Sequence, residues 1–344
     1  MRFYDSDKPI EKNLSKVQYI EYQWRDVMEN ELKYVVKEEV HDYTVCGSHK
    51  CPNHVAIQTI DNAVIASHEG LIYDDKKRIY ALGYWFWKNK KIPNYGLRKN
   101  GHLKKAYSFI RIWEWTFQHA AMGTFPKARY FCNELKVAKD AKIIIANDAQ
   151  RNVLRFACPG IEDHRYYYFK EDELKVDQLF VIRWITSEAV EQGKVLSLAA
   201  SPRNIIHLPK SDMVDTLFYM RRDRKLGKRY VINDEQVIVA LKMFCKFSGL
   251  RFQIFDNGDV SELKRAAFLI GPHGGAIANL IYTNRETKVI EFITSKGLAA
   301  RPCYDLLSQT LSLEYFFLEP TKFNFDHGGM KIDTDKLRDL LNNI

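Results

Sequence analysis

The sequence lacks long apolar runs, low-complexity stretches and internal repeats. No segment approaches the roughly 18 to 20 consecutive apolar residues of a transmembrane helix, so we expect no integral membrane segment. The N-terminal stretch MRFYDSDKPIEKNLSKVQ has no apolar core, and we therefore do not expect a secretory signal. Glycine (17) and proline (10) are sparse, which excludes collagen-like and low-complexity proteins.

Cysteine is also scarce, with six residues scattered along the chain. Only Cys46 and Cys51 lie close together, and their spacing fits no standard zinc pattern. This distribution favours reduced thiols in a cytosolic protein over a disulfide framework or a zinc site.

The composition that remains is that of a globular protein. Hydrophobic residues make up 46% and aromatic residues 13% of 344 residues, which supplies a core and predicts two domains or one large one. The net charge of +9 predicts an anionic partner, but nucleic acid, a membrane surface and a phosphorylated small molecule all qualify. Residues 221–229 concentrate six bases against one acid.

The second half of the chain alternates predicted strands with predicted helices. This alternation predicts an α/β fold with a parallel sheet and helices on both faces. Residues 196–211 show no periodicity, so we place a boundary there, with domains 1–205 and 206–344. Packing of the last helix, 334–341, back on the first domain is left open. The predicted strands are 216–220, 251–255, 267–270, 288–293 and 314–318, and the other predicted helices are 233–247, 261–264, 276–282 and 303–313.

The first half predicts mixed α/β structure. Residues 55–60 and 63–65 look like two short strands around a turn at Asp61 and Asn62. Residues 102–121 have helical apolar spacing, and residues 142–146 form an apolar run typical of a buried strand.

A glycine-rich turn, Gly271-Pro-His-Gly-Gly275, follows the predicted strand 267–270. Ligands of an open parallel sheet bind beyond the carboxyl ends of its strands. The glycines allow close backbone approach, the next helix offers free N–H groups, and His273 offers a donor to a phosphate or sugar oxygen. The alternative is a tight turn with a capping histidine.

Arginines follow another strand end in the same half. Arg222 and Arg229 come soon after the strand 216–220, and arginine binds phosphate through two hydrogen bonds. Together with a helix N-terminus they predict a diphosphate site that needs no metal. The alternative is a solvated basic loop, which we favour for Lys225 and Lys228.

These segments together resemble a known family. RRDRKLGKRYVINDEQ, followed by LIGPHGGAIANLIYTNRETKVIEFI, is similar to the carboxyl-terminal half of glycosyltransferase family 61 over about residues 215–320. Its members include protein O-linked N-acetylglucosaminyltransferases and plant xylosyl- and arabinosyltransferases. The chain departs from the family pattern at Tyr230, where an arginine is usual, and at Gly275-Ala276, which inverts the usual order. The positions that match are Arg222, Arg229, Asn233, His273, Gly274, Asn279 and Glu291.

The resemblance implies an inverting glycosyltransferase with a GT-B arrangement, in which two Rossmann-like domains flank a cleft. It implies transfer from a nucleotide-sugar donor, with UDP-xylose and UDP-N-acetylglucosamine first, to a hydroxyl of a glycan or protein acceptor. Family members of the secretory pathway carry an anchor or signal, so we expect a cytoplasmic enzyme of bacterial or viral type. Asn233 is expected to cap a helix and Asn279 to be structural. The residues expected to bind the donor are Arg222, Arg229, His273, Gly274, Gly275 and Glu291, the last through ribose hydroxyls or else as a capping carboxylate.

The segment FQHAAMGTFP is similar to the family's His-x-x-x-Asp-x-x-Pro. His119 and Pro126 match it in spacing, whereas Gly123 replaces the carboxylate. The resemblance therefore names His119 as the general base, against the alternative of a buried core histidine. Competing bases are Glu114, Asp148 and His68.

We predict neither a metal nor a cofactor. The two Asp-x-Asp triplets, at 5–7 and 333–335, lie near the chain ends and follow no convincing strand. Two other functions stay open: a basic nucleic-acid-binding protein, and an inactive relative that only binds sugar nucleotides. No nucleic-acid-binding motif matches the chain, so nucleic acid is not our expected partner.

Overall fold

The chain divides into two compact units, Met1–Pro202 and Arg203–Ile344. The structure is a computed structural model. It describes residues 54–66, 70–75, 79–81, 100–110, 116–171, 173–185, 197–198, 206–221, 229–256, 259–300, 303–323 and 329–344.

The described strands are numbered in chain order. They are β1 His54–Ala66, β2 Leu71–Asp74, β3 Ile79–Ala81, β4 Asn100–Ser108, β5 Lys142–Ile145, β6 Tyr166–Tyr168, β7 Glu173–Ile185, β8 Ser197–Leu198, β9 Thr216–Tyr219, β10 Tyr230–Val231, β11 Arg251–Ile254, β12 Ala266–Pro272, β13 Lys288–Phe292, β14 Glu314–Leu318, β15 Lys322–Phe323 and β16 Gly329–Lys331.

The described helices are of three kinds. The α-helices are α1 Phe117–His119, α2 Phe125–Tyr130, α3 Cys132–Val137, α4 Asp148–Ala157, α5 Asp234–Ser248, α6 Ser295–Ala300, α7 Cys303–Thr310 and α8 Thr334–Asn342. A π-helix, Ala120–Thr124, joins α1 to α2. The 3₁₀ helices are Asp163–Arg165, Val260–Arg265 and Ile277–Tyr282.

The described part of the first unit holds an eight-stranded mixed sheet in the order β3-β2-β1-β7-β4-β5-β6, with β8 also on β1. The strands β7, β4, β5 and β6 run parallel, so their carboxyl ends share one edge. Helix α4 begins directly beyond β5, where the side chain of Asn147 accepts a hydrogen bond from Gln150 N and caps the helix.

The described part of the second unit holds a five-stranded, all-parallel sheet in the order β11-β9-β12-β13-β14. The alternation of strands and helices had predicted this parallel sheet, and the structure confirms it. A three-stranded sheet, β10-β16-β15, lies in the same unit.

One face of the parallel sheet packs against α5 and α8. Ile270 of β12 and Ile290 of β13 join Leu241 of α5 and Leu337 of α8 in one buried cluster. Helix α8 thus buries apolar side chains within the second unit. Side chains alternate along a strand, so Glu291, next to Ile290, points to the opposite face of the sheet.

Two expectations for the first half need correction. The two short strands around Asp61 and Asn62 are one continuous strand, β1, because Asn62 adopts a left-handed φ of 54° without ending the pairing with β7. Residues 100–108 form β4 rather than a helix, since exposure alternates along most of the strand and pairing with β5 and β7 overrides the helical spacing. The helix begins only at Phe117.

The expectation of reduced thiols is wrong for two cysteines. Cys132, at the start of α3, forms a disulfide with Cys158, directly after α4, with their Cα atoms 5.2 Å apart. Cys245 and Cys303 are free and buried. Cys46 and Cys51 lie outside the described residues. Within the described ranges, no helix has the length and hydropathy needed to cross a membrane.

Candidate functional site

The carboxyl edge of the parallel sheet carries a buried histidine–carboxylate pair. His273 directly follows β12, and its backbone N–H donates to the carbonyl of Phe292 at the end of β13, at 3.1 Å. Its Nδ1 is hydrogen-bonded to Oε1 of Glu291 on β13. His273 is 5% exposed and Glu291 is 0% exposed. A carboxylate at this depth is stable only with hydrogen-bonding partners, so the pair is a strong candidate for function.

Two tyrosines complete the surroundings of this pair. The hydroxyl of Tyr315, on β14, donates to Oε2 of Glu291. The ring of Tyr304, on α7, packs edge-on against the His273 ring at a centroid distance of 5.4 Å. Glu291 therefore accepts a hydrogen bond on each oxygen, and the His273 ring is held both in plane and in orientation.

Cys303 lies within the electrostatic reach of both Arg229 and Glu291. The pKa of its thiol is raised to about 12: burial is the largest cause, the negative charge of Glu291 acts in the same direction, and the positive charge of Arg229 opposes it. Glu291 and Arg229 therefore both act electrostatically on Cys303, at the start of α7. Arginine can bind an anionic ligand through charge-assisted hydrogen bonds.

Arg229 has an unusual backbone. It lies half-buried directly before β10, with a left-handed φ of 63°. A non-glycine residue rarely adopts this conformation, and such strain is concentrated at functional sites. Arg222 lies outside the described residues. Arg221, the first base of the run, is bound instead to α5, with Nε 2.7 Å from Oδ2 of Asp234.

The glycine-rich turn is tightly built. A Cβ on Gly271 would lie 2.8 Å from the backbone oxygen of Met220, so only glycine lets the ends of β9 and β12 come this close. Gly274 is buried and Gly275 is half-buried. The helix predicted over 276–282 is present as a 3₁₀ helix, Ile277–Tyr282. Asn279 Nδ2 donates to the carbonyl of Ala276 at 2.9 Å, which draws that carbonyl away from an α-helical partner.

Asn233 has a different role from the predicted helix cap. No cap hydrogen bond forms from its side chain. Its amide instead pairs with the backbone of Ile332 in both directions, at 2.8 Å and 2.9 Å. The residue therefore fastens the start of α5 to the chain just before α8.

The first unit contains His119, the last residue of α1, which is half-buried. Gly123 lies in the π-helix that follows, and π-helices recur at functional sites. The helix widens directly before Pro126, which has no N–H and whose ring crowds the carbonyl four residues earlier. Because α1 follows β4, these residues belong to the carboxyl-edge side of the first sheet's parallel strands.

A buried glutamine joins the π-helix to this edge. Gln150 Nε2 donates to the carbonyl of Phe109 at 2.5 Å and to Thr124 Oγ1 at 3.0 Å. Its Oε1 accepts from Ala146 N at 2.8 Å. The amide thereby connects the ends of β4 and β5 with the helix that carries His119.

Asp148, a competing base, lies at the start of α4 beyond β5. The Tyr168 hydroxyl donates to its Oδ1 at 2.5 Å, and Arg151 is 3.2 Å from the same oxygen. These contacts hold a carboxylate at the carboxyl edge of the first sheet. Glu114 and His68 lie outside the described residues.

The chain's acidic triplets do not form metal sites in the described residues. Asp333 caps α8, where its side chain accepts from the backbone N–H groups of Asp335 and Lys336. The triplet at 5–7 lies outside the described residues. No group of three or more histidine, cysteine or acidic side chains in the described part of the chain is placed to hold a metal ion. Metal independence stays a prediction.

Sequence reasoning had missed Tyr304, Tyr315 and Gln150. The signal for Tyr315 was its position near the start of β14. This strand pairs in parallel with β13, which carries Glu291, and Tyr315 lies opposite Val289. Side chains two residues apart share a face, which brings Tyr315 to the face of Glu291. Gln150 gave no signal, because a polar residue in a helix's first turn is ordinary.

The second unit is an α/β unit with a parallel sheet, a class of fold in which ligands bind at the carboxyl edge of the sheet, and the buried His273 lies at that edge. The sequence profile of the glycosyltransferase 61 family matches residues 112–290, just over half of the chain. The chain belongs to this family, as its motifs had indicated. Family membership implies a glycosyltransferase, which binds a sugar donor and an acceptor. A comparison with the curated proteins gave no match for the chain.

Proposed function

We propose that this protein is an inverting, metal-independent glycosyltransferase that uses a UDP-sugar, with UDP-xylose and UDP-N-acetylglucosamine as the first candidates. The acceptor is a hydroxyl of a glycan or protein. The observation that carries the proposal is the buried His273–Glu291 pair at the carboxyl edge of a parallel sheet in a glycosyltransferase 61 chain. Family membership does not favour the nucleic-acid-binding alternative.

In the proposed reaction the acceptor oxygen attacks the anomeric carbon as the bond from that carbon to the diphosphate oxygen breaks. The electron pair of the broken bond leaves with the diphosphate, so negative charge develops there. Arg229, Arg222 and His273 are proposed to stabilise this charge, together with the backbone amides of Gly274 and Gly275. Because the helix after the glycine-rich turn is a short 3₁₀ helix, the proposal assigns most of this stabilisation to the side chains.

Glu291 is proposed to orient His273 rather than to contact the ligand itself. Its complete burial and its two protein donors favour this role over a direct hydrogen bond to ribose hydroxyls. The side chain then holds His273 in the orientation that the ligand meets.

His119 is proposed as the base that takes the acceptor proton, with Asp148 as the competitor that the structure describes. The GT-B arrangement with a cleft likewise stays a prediction.

The proposal is tested by UDP release from UDP-xylose and UDP-N-acetylglucosamine, with a panel of saccharide acceptors and in EDTA. We expect acceptor-stimulated release that EDTA leaves intact. His119→Ala should lower turnover roughly 10²- to 10⁴-fold while UDP binding stays unchanged. UDP binding without release from any donor would identify an inactive relative. A fully active His119→Ala variant would remove His119 from the mechanism.

A further inference from the structure

The buried Glu291 carboxylate is hydrogen-bonded by two side chains. Of these two, only His273 belongs to the proposed binding site for the nucleotide sugar. Oε1 is bonded to Nδ1 of His273, and Oε2 accepts from the hydroxyl of Tyr315. Glu291 is 0% exposed, so water cannot replace either donor without a change in packing. Tyr315, on the adjacent strand β14, is thus part of the local hydrogen-bonding chain.

We propose that Tyr315 is a positioning residue: through Glu291, its hydroxyl keeps a proton on Nδ1 of His273 and leaves Nε2 for the donor diphosphate. This inference rests on the proposed function, because it assigns the ligand of Nε2. It adds a residue that no motif of the sequence had indicated.

The direction of each hydrogen bond follows from the chemistry of the groups. Burial raises the pKa of Tyr315 well above its usual value, and the charge of Glu291 and the hydrogen bond to it raise it further. The hydroxyl is therefore protonated at neutral pH and donates to Oε2. A donor to a carboxylate favours its ionised form, and an ionised Glu291 must accept from Nδ1–H.

The consequence for His273 is a fixed ring orientation. With Nδ1–H bound to Glu291, Nε2 is the nitrogen that remains for a ligand. Only the imidazolium form carries a proton on both nitrogens, and in that form Nε2–H donates to a phosphate oxygen. Tyr304 packs edge-on against the ring at 5.4 Å and keeps its plane. Without the Tyr315 hydroxyl, Oε2 is left buried without this donor. The hydrogen bond between the carboxylate and Nδ1–H then loses the second donor that supports it.

The test is Tyr315→Phe, which removes one oxygen and keeps the ring. Tyr219→Phe is the matched control. Tyr219 lies on another strand of this sheet, and its hydroxyl donates to Asp234 at 2.7 Å, but it faces the α5 side. Both variants lose a part-buried tyrosine–carboxylate hydrogen bond, so a general loss of stability affects them alike.

Two readouts separate positioning from packing. In ligand-free protein labelled with ¹⁵N-histidine, we expect the Nδ1–H signal of His273 in wild type and Tyr219→Phe, and its loss or shift in Tyr315→Phe. In UDP-sugar turnover, we expect Tyr315→Phe to lower kcat roughly 10-fold with donor KM within about twofold, because the contact strengthens as charge develops on the leaving diphosphate. Glu291→Gln, which keeps the volume, should abolish the same signal and is the second variant if Tyr315→Phe does not fold.

An unchanged Nδ1–H signal together with an unchanged kcat in Tyr315→Phe would overturn the inference. So would an equal loss of turnover in Tyr219→Phe. If the signal behaves as expected but wild type binds no UDP, the proposed function fails and the assignment of a diphosphate to Nε2 fails with it, while the hydrogen-bonding order stands.

Discussion

Arg229 combines a charge with a backbone conformation that suits glycine. Its φ is 63°, and the only other described non-glycine residues with positive φ are Asn62 and Ser312. A left-handed conformation costs a side-chain-bearing residue roughly 1–2 kcal/mol. The charge of Arg229 acts on the buried thiol of Cys303, on which the charge of Glu291 also acts. The strained backbone is therefore consistent with a role of the Arg229 side chain in ligand binding.

Arg229→Gly separates ligand binding from stability. We expect the melting temperature to stay equal or rise, because glycine relieves the strained φ. We expect UDP affinity to fall roughly 10- to 100-fold through loss of a charge-assisted hydrogen bond, measured by calorimetry. Ser312→Gly, at φ 54° and exposed, is the matched control: it should share the effect on stability and leave UDP affinity unchanged. Equal UDP affinity in wild type and Arg229→Gly would remove Arg229 from the site.

At the scale of elements, the disulfide fixes the connection between α3 and α4. Cys132 and Cys158 are 26 residues apart in sequence, so the bond closes a loop that contains β5. A crosslink of this length removes conformational freedom from the unfolded chain, worth about 3 to 4 kcal/mol. The helix that carries Pro126 directly precedes this loop.

We expect the double variant Cys132→Ala/Cys158→Ala to unfold at lower urea concentration, with a loss of about 3 to 4 kcal/mol. Dithiothreitol should destabilise the wild type in the same direction and have no effect on the double variant. The free cysteines, Cys245 and Cys303, are present in both and so control for other effects of the reductant. A wild type that is equally stable with and without reductant would contradict a stabilising bond.

The sequence predicted elements well where local pattern and tertiary pairing agree. The helix predicted from Asn233 to Phe247 is α5, Asp234–Ser248, which Gly249 ends at φ 69°. The strand 314–318 has the predicted bounds. Residues 102–108 were predicted wrongly because their apolar spacing also fits a helix, and the pairing partners of β4 lie more than 30 residues away.

Parts of the candidate site also lay beyond sequence reasoning. His273 and Glu291 were both selected, but their mutual hydrogen bond depends on the parallel register of β12 and β13. The disulfide could not be deduced, because six cysteines at wide spacing allow many pairings. The position of Pro126 explains the π-helix at Ala120–Thr124 only when the bounds of the neighbouring helices are known, and the sequence did not give those bounds.

For the whole molecule, the family assignment and the fold of the second unit both support the proposal that the protein binds a nucleotide sugar. The net charge of +9 is consistent with an anionic donor, and His273 lies at the edge of the parallel sheet where such ligands bind. The cytoplasmic placement stays a prediction. The disulfide argues against it, since disulfides are typical of oxidising compartments.

The central claim is that this chain binds a nucleoside diphosphate sugar without a metal. A thermal-shift panel of UDP, GDP, CMP and their common sugar conjugates, each with and without EDTA, tests it most directly, because a ligand of the native state raises the melting temperature. We predict a rise with UDP and a UDP-sugar that persists in EDTA. A rise abolished by EDTA would contradict metal independence, and no rise with any nucleotide would contradict the account as a whole.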